Sequence, residues 1–206
     1  MRSLIYPFTE SQVRALSAGD AVTLSGTVFT GRDRVHKFLQ EGGLPPVDLR
    51  DGAIYHCGPV VVRKGAAWQV VAAGPTTSLR EEPYMASIIQ RHGVRVIVGK
   101  GGMGAATVEA CRRCGCVYLQ AVGGAAVRLA QCIRAVRQVH FLEEFGATEA
   151  MWTLEVADFE AVVAIDSHGR SLYDDVAASS RRELERLLYH PQVASAAQER
   201  SSRTTR

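Results

Sequence analysis

Residues 94–115, "VRVIVGKGGMGAATVEACRRCG", pass from an apolar β-branched run through a glycine-rich turn into a helical pattern. The run 94–98 predicts a buried strand, and the apolar spacing of 104–114 predicts a helix that packs on it. The alternation continues downstream, where we expect a strand at 116–122, a helix at 125–134 and a strand at 136–142. Strands and helices in this order predict a parallel βαβαβ core with right-handed crossovers.

Further elements are predicted on both sides of this core. Thr9 and Gln12 have the spacing of a capping box that starts a helix. Apolar runs predict strands at 21–29, 53–62, 68–73 and 161–166, and helices are expected at 32–40, 83–92 and 179–189. The first third of the chain reads as more antiparallel. The fold class is therefore α/β, with one domain over 1–190, a β-rich layer beside the parallel core, and a flexible tail at 191–206.

The composition predicts a packed globular chain. Of the 206 residues, 47% are hydrophobic and 22% are charged, which is enough apolar material for a core. The net charge of +3 is too small to argue for a nucleic-acid partner. No apolar run reaches the length of a membrane helix, and the first residues lack a signal-peptide pattern. The five cysteines, an odd number, fit a reducing compartment, so we expect a cytoplasmic protein.

The glycine-rich turn raises the question of a nucleotide site. Gly99, Gly101 and Gly104 fit the dinucleotide fingerprint G-x-G-x-x-G. That site also needs an acidic residue after the next strand, and 110–142 contains none. A Walker A loop fails as well, because Gly101 follows Lys100 where serine or threonine is required. The amides of the turn, the helix end and Lys100 still favour an anion, either a carboxylate or a phosphate; the alternative is a glycine turn with a solvated lysine.

A second group of polar residues follows the strand at 68–73. Thr76 and Thr77 present hydroxyls, and Arg80 can bind a carboxylate through two parallel hydrogen bonds. The hydroxyls can bind a substrate oxygen or relay a proton. Taken alone, this stretch is more typical of a helix cap beside a surface arginine than of a binding site.

A third group follows the strand at 21–29. Arg32 can bind a second carboxylate, and the i,i+3 spacing of Asp33 and His36 predicts that the carboxylate orients the imidazole. The alternative is a capped helix with an exposed histidine. Cations after three separate strands favour a small dianion such as a dicarboxylate, because ligands of open α/β sheets bind at the carboxyl ends of the strands.

The cysteines of "CRRCGC" are candidates for a metal site. Cys111 and Cys114 share a helix face, and Cys116 opens the next strand. A structural zinc site needs four ligands, and a second pair is missing from the sequence. We therefore expect buried, apolar cysteines and no metal bound by this chain.

Four blocks of the sequence, in order, resemble the C-terminal domain of class I iron–sulfur fumarate hydratases. They are "GDAVTLSGTVFTGRDRVHKFL", "GPTTSLR", "VIVGKGGMG" and "AIDSHGRSLYDDV", within a resemblance that covers about residues 8–176. The same domain occurs as the separate β subunit of two-subunit fumarases and of L-tartrate dehydratase. The resemblance implies a swivelling β/β/α domain that closes over an α subunit. It also implies that the α subunit, not this chain, holds a [4Fe–4S] cluster through three cysteines.

The resemblance also implies roles for the site residues. Arg32, Arg80 and Lys100 would bind the substrate carboxylates, with Thr77 and Gly101 beside them. Thr76 would be the catalytic proton-transfer group at the reacting carbon, and His36, with Asp33, stands where tartrate dehydratase has a proposed catalytic histidine. The chain departs from the family around these residues, with Glu81-Glu82 for Met-Asp, Thr148 for proline and Arg170 for asparagine.

The predicted function is that of a hydro-lyase β subunit, active with an α subunit in the reversible hydration of fumarate to malate. One alternative is the tartrate dehydratase β subunit, which would convert tartrate to oxaloacetate. Another is a non-catalytic or regulatory module of the same fold. The expected partners are the α subunit and a small dicarboxylate, with a homodimer of αβ units as an option, and neither nucleic acid nor a membrane.

Overall fold

The computed structural model of the chain describes residues 1–188. They belong to two compact units, one at 1–171 and a second that begins at Leu172. The elements are, in order, β1 (Arg2–Ile5), α1 (Glu10–Arg14), β2 (Ala21–Thr30), α2 (Asp33–Gln40), β3 (Ala53–Tyr55), β4 (Val60–Lys64), β5 (Ala67–Ala72), a 3₁₀ helix (Ser78–Glu81), α3 (Glu82–His92), β6 (Val96–Gly99), α4 (Ala105–Cys114), β7 (Val117–Gln120), α5 (Ala126–Ala130), β8 (Ile133–His140), α6 (Leu142–Phe145), β9 (Met151–Ile165) and α7 (Leu172–Leu188).

Five strands of the first unit form a closed ring of hydrogen-bonded neighbours. Strands β2, β3, β6 and β7 are parallel in that order, and β1 is parallel to the first half of β2, at 22–25, whereas β3 pairs with its second half, at 28–30. Strand β9 is antiparallel to both β2 and β7 and so closes the ring, while β8 pairs with β9 outside it. This mixed arrangement confirms the α/β class and the parallel β6–α4–β7 unit.

Two predictions about the sheet are wrong. The first third of the chain is parallel in the main sheet, because helices α1 and α2 carry the chain back between successive strands. Only β4 and β5 form the expected antiparallel hairpin, in a separate sheet. Strand β8 also does not lie beside β7 in the sheet, since the long strand β9 lies between them and pairs with β8 in the antiparallel direction.

Several boundaries differ from the predicted ones. The run 53–62 is two strands rather than one, interrupted at Gly58-Pro59, and proline cannot donate to a strand ladder. The helix expected at 125–134 ends at Ala130, because the next residues enter a strand. The strand expected at 161–166 begins at Met151. The capping box is confirmed, since Thr9 and Gln12 exchange both hydrogen bonds at the start of α1.

The core positions the ends of the strands. Side chains from β2, β3, β6 and β9 meet in an apolar cluster in which the rings of Tyr55 and Phe159 lie 5.3 Å apart. In register, Thr30 pairs with Tyr55, and Tyr55 pairs with Val98. The loops that follow β2, β3 and β6 therefore leave the same edge of the sheet. Two of the three predicted cationic groups follow β2 and β6, whereas the group at 76–80 follows β5, which belongs to the separate two-stranded sheet.

The second unit is represented by α7, a helix without buried residues in the described range. It begins before the predicted residue 179, and the predicted tail at 191–206 lies outside the described residues, as does the predicted domain end at 190. Within residues 1–188, no helix is long and apolar enough to cross a membrane.

Candidate functional site

Backbone hydrogen bonds join the predicted site segments at the carboxyl edge of the parallel strands. The segment 76–80 docks between two strand ends, since the Thr76 amide donates to the His56 carbonyl at 2.6 Å and the Ser78 amide donates to the Lys100 carbonyl at 2.8 Å. Thr77 and Lys100 also form a parallel bridge. The predicted residues of the second group and of the glycine turn are therefore neighbours in the structure.

Arg32 lies at the start of α2 and is partly buried. Its Nε atom is 3.3 Å from Oε1 of Glu149, and both side chains are 19% exposed. Gly58 provides the space for the guanidinium, since a Cβ atom there would lie 2.8 Å from Nη1 of Arg32 and 2.5 Å from the Thr148 carbonyl oxygen. The sequence interpretation missed Glu149, which is distant in the chain and follows no strand.

The expected orientation of His36 by Asp33 is wrong. The Asp33 carboxylate instead accepts a hydrogen bond from Arg80 at 2.5 Å. Asp33 is the first residue of α2 and is partly exposed, so its carboxylate reaches the arginine of the neighbouring 3₁₀ helix. This ion pair joins two of the three cationic groups.

His36 is fully buried and is bound by a different acid. Its Nδ1 atom lies 2.7 Å from Oε2 of Glu81, and both side chains are 0% exposed. Its Nε2 atom has no hydrogen-bond partner and packs against Gly31, where a Cβ atom would lie 2.5 Å away. A charged carboxylate can only accept, so Nδ1 of His36 carries the shared proton when Glu81 is ionised. His36 therefore has no open path to a ligand in this arrangement.

A second buried histidine lies beside the first. The rings of His56 and His36 are 5.1 Å apart and nearly perpendicular. Nδ1 of His56 lies 2.9 Å from Oγ of Ser78, which also accepts a hydrogen bond from the Tyr118 hydroxyl at 3.0 Å. Burial, and then charge on His36, hold the pKa of His56 well below its usual value. This network was missed, although His56 directly follows a buried strand, which is a recognisable signal.

The glycine turn differs in one respect from the expected anion site. Gly101 and Gly102 have φ values of +77° and +80°, which favour glycine. The N-terminus of α4 already holds an anion of this chain, because the Glu82 carboxylate accepts from the Gly104 amide at 2.7 Å and from the Thr107 hydroxyl at 2.6 Å. The helix end thus favours an anion, as expected, but the anion that it binds is the carboxylate of Glu82 rather than a ligand.

Lys100 and the two threonines remain available at this edge. Lys100 is partly buried, and within residues 1–188 its ammonium forms no ion pair. Thr76 is partly buried and Thr77 is exposed. A cation and hydroxyls side by side can bind an acidic ligand and exchange a proton with it.

The "CRRCGC" cysteines do not form a metal site. Cys111 and Cys116 are buried, as expected, whereas Cys114 is only partly buried. Across residues 1–188, no group of three or more histidine, cysteine, aspartate or glutamate side chains could hold a metal ion. Burial also raises the pKa of Cys116 well above its usual value, which disfavours a thiolate ligand. The described residues therefore do not fit an iron–sulfur cluster.

Residues 166–170 of the fourth sequence block form a turn that is held together by one carboxylate. The Asp166 carboxylate accepts hydrogen bonds from the Ala18, His168 and Arg170 amides. Gly169 lies against Arg112 near the end of α4, whereas the glycine turn lies at its beginning. The departure at Arg170 is thus remote from the predicted cations, contrary to the expectation that it lies near them.

Comparisons with known proteins agree with the motifs. Residues 3–176 match the family described as Fumarase C-terminus. A Geobacillus stearothermophilus protein named "Putative fumarate hydratase class I" is 52% identical over 179 residues, which are 86% of this chain and 34% of that relative. The chain thus spans about a third of that relative's length. The Escherichia coli (strain K12) "L(+)-tartrate dehydratase subunit beta" is 37% identical over 171 residues, or 82% of this chain and 85% of that relative.

Proposed function

Because this chain belongs to the Fumarase C-terminus family, we propose that it is the β subunit of a two-subunit hydro-lyase that interconverts fumarate and malate. The observation that carries the proposal is the shared sheet edge of Arg32, Arg80 and Lys100, with Thr76 and Thr77 between them. Three cations exceed what a monoanion needs. They suit a substrate with two carboxylates.

The cations bind and orient the diacid. Arg32 and Arg80 offer planar guanidinium groups that match a carboxylate, and Lys100 adds a compact charge beside Gly101 and Thr77. The same charges favour the chemistry. When a proton leaves the carbon next to a carboxylate, negative charge develops on that carboxylate, and fixed cations stabilise it.

Thr76 is the proton-transfer group in this proposal, since its backbone is hydrogen-bonded to the end of β3, between the strands that lead to Arg32 and Lys100. A threonine is a weak base, so neighbouring positive charge must favour its ionised form. His36 and Asp33 serve as positioning residues, because His36 is buried against Glu81 and Asp33 holds Arg80. The two residues thus support the site without contact with the reacting atoms.

An α subunit is part of the proposal, and it supplies the iron–sulfur cluster that the family resemblance implies. The support for a separate partner is the Escherichia coli relative, which is named as a subunit and has 85% of its length covered. The same relative supports the second candidate, dehydration of tartrate. A non-catalytic module is disfavoured, because a decayed site should lose its cations first.

The test is anaerobic co-expression with an α subunit of the same hydro-lyase family, followed by iron loading and assays of fumarate hydration and tartrate dehydration. Turnover of fumarate supports the first candidate, and turnover of tartrate alone supports the second. With a loaded cluster and neither activity, the enzyme proposal fails.

A variant tests the site directly. Lys100→Ala should abolish turnover while the αβ complex still forms on a sizing column. Lys64→Ala, on the exposed strand β4, is the matched control and should keep full activity. Activity retained by Lys100→Ala contradicts the proposed role of this lysine.

A further inference from the structure

Helix α2 begins without a cap of its own. Its N-cap residue, Arg32, makes no side-chain capping bond. The amide of Arg34 instead donates to Oε2 of Glu149 at 3.1 Å, across 115 residues of sequence. An anion at a helix N-terminus is favoured by the exposed amides and the helix dipole. Glu149 therefore stabilises the start of α2 from the turn before β9.

The other oxygen of the same carboxylate contacts the substrate-binding candidate. Oε1 of Glu149 lies 3.3 Å from Nε of Arg32, as an ion pair whose geometry falls short of a hydrogen bond. A guanidinium approached at its Nε edge keeps its two terminal amino groups for another acceptor. Nη1 of Arg32 lies in the space left by Gly58, which limits the rotation of the group.

From these contacts we infer that Glu149 is a positioning residue that orients Arg32 for one substrate carboxylate; the inference rests on the proposed function. Glu149 does not repel a dianion, because Arg32 and the end of α2 offset its charge. It fixes the direction of the guanidinium before substrate arrives. The binding cost of ordering a long, flexible side chain is then already met by the fold.

The kinetic test uses Glu149→Gln in the loaded αβ complex. The KM for the diacid should rise about tenfold with a smaller change in kcat, because a misdirected guanidinium loses a charge-assisted contact. In an Arg32→Ala background the same substitution should cause no further rise in KM, because Glu149 affects substrate binding through Arg32, whereas its bond to the Arg34 amide stabilises α2. Equal losses in both backgrounds overturn the inference in favour of a merely structural role.

Glu155→Gln is the matched control. Glu155 forms an ion pair of similar length with Arg137, at 3.6 Å on strands β8 and β9, although this pair is more exposed than that of Glu149 and Arg32. This variant should leave both KM and kcat at wild-type values. A tenfold rise in its KM shows that loss of any such ion pair has this effect, and it overturns the specific assignment to Glu149.

A second readout does not depend on activity. In ¹⁵N-labelled full-length chain, the Nε–H of Arg32 should exchange slowly with water and should exchange faster in Glu149→Gln. Arg95, whose Nε donates to Asp51 at 2.9 Å, is the internal reference and should not change. If the exchange of the Arg32 Nε–H is unaffected by Glu149→Gln, the inference is overturned. If Glu149→Gln does change this exchange but the wild-type complex is inactive, only the proposed function is overturned.

Discussion

Replacing Glu81 with methionine removes one half of a fully buried histidine–carboxyl pair. His36 and Glu81 are each 0% exposed, and Nε2 of His36 already lacks a partner, so the substitution leaves the whole imidazole without a hydrogen bond. Breaking such a pair costs about 3–5 kcal/mol, because one polar group remains buried and uncompensated. For a unit the size of 1–171, 1 kcal/mol corresponds to about 2–4 °C, so we expect Tm to fall by about 6–20 °C.

The double variant His36→Leu/Glu81→Met replaces both buried polar groups with apolar side chains that fill the same space. An apolar replacement of similar volume is often neutral or stabilising by about 1–4 kcal/mol relative to the ion pair. The double variant should therefore recover most of the stability lost by Glu81→Met alone. Circular dichroism at pH 7 follows both measurements: thermal unfolding gives the change in Tm, and urea unfolding gives the change in unfolding free energy.

The surface pair of Lys37 and Glu41 provides the control, since both side chains are about two-thirds exposed. Glu41→Met should change the unfolding free energy by no more than about 0.5 kcal/mol. Two outcomes refute the reasoning. One is a Glu81→Met chain within about 1 kcal/mol of wild type, and the other is a double variant as unstable as the single one.

Three further predictions follow from buried groups near the site. Gly99→Ala should destabilise the chain by about 1–3 kcal/mol, because its Cβ would lie 1.8 Å from Oγ of Ser78; Gly123→Ala, which meets only one side-chain atom at 3.5 Å, should stay near wild type in thermal unfolding. The pKa of His56 is depressed by burial and by His36, so the unfolded chain binds a proton that the folded chain does not, and the urea midpoint should fall as pH drops below about 6.5. This slope should be shallower in His56→Gln, and an unchanged slope contradicts the assignment. Burial raises the pKa of Cys57 to about 12, so alkylation at pH 8 should modify this thiol only in urea, as read by peptide mass spectrometry.

Local patterns predicted the parallel unit and the cations of the site. Strand β6, its glycine turn and α4 are adjacent in sequence, so periodicity alone identifies them. Arg32 and Lys100 were recognisable because each follows a strand directly. Their convergence then follows from the rule that parallel strands end at one edge.

The acids that hold these cations could not be predicted in the same way. Glu149 meets α2 across 115 residues, and Glu81 meets His36 across 45. No spacing rule links such positions, because the contacts arise only after the sheet has formed. For Asp33 a spacing rule did exist, because Asp33 and His36 are both in α2. The Asp33 carboxylate nevertheless accepts from Arg80, and His36 pairs with Glu81. The position of β9 is likewise set by long-range pairing.

The ring closed by β9 has a consequence for biosynthesis. Ala21 of β2 pairs with Val162, so the strand that completes the ring is made some 140 residues after the one it joins. Until then, β2 and β7 each present an unpaired edge, which is a template for association with another chain. The proposed substrate edge is also incomplete, because Glu149 arrives only with the turn before β9. A nascent or truncated chain that stops short of Met151 is therefore both unfinished and prone to aggregate, however intact its parallel strands.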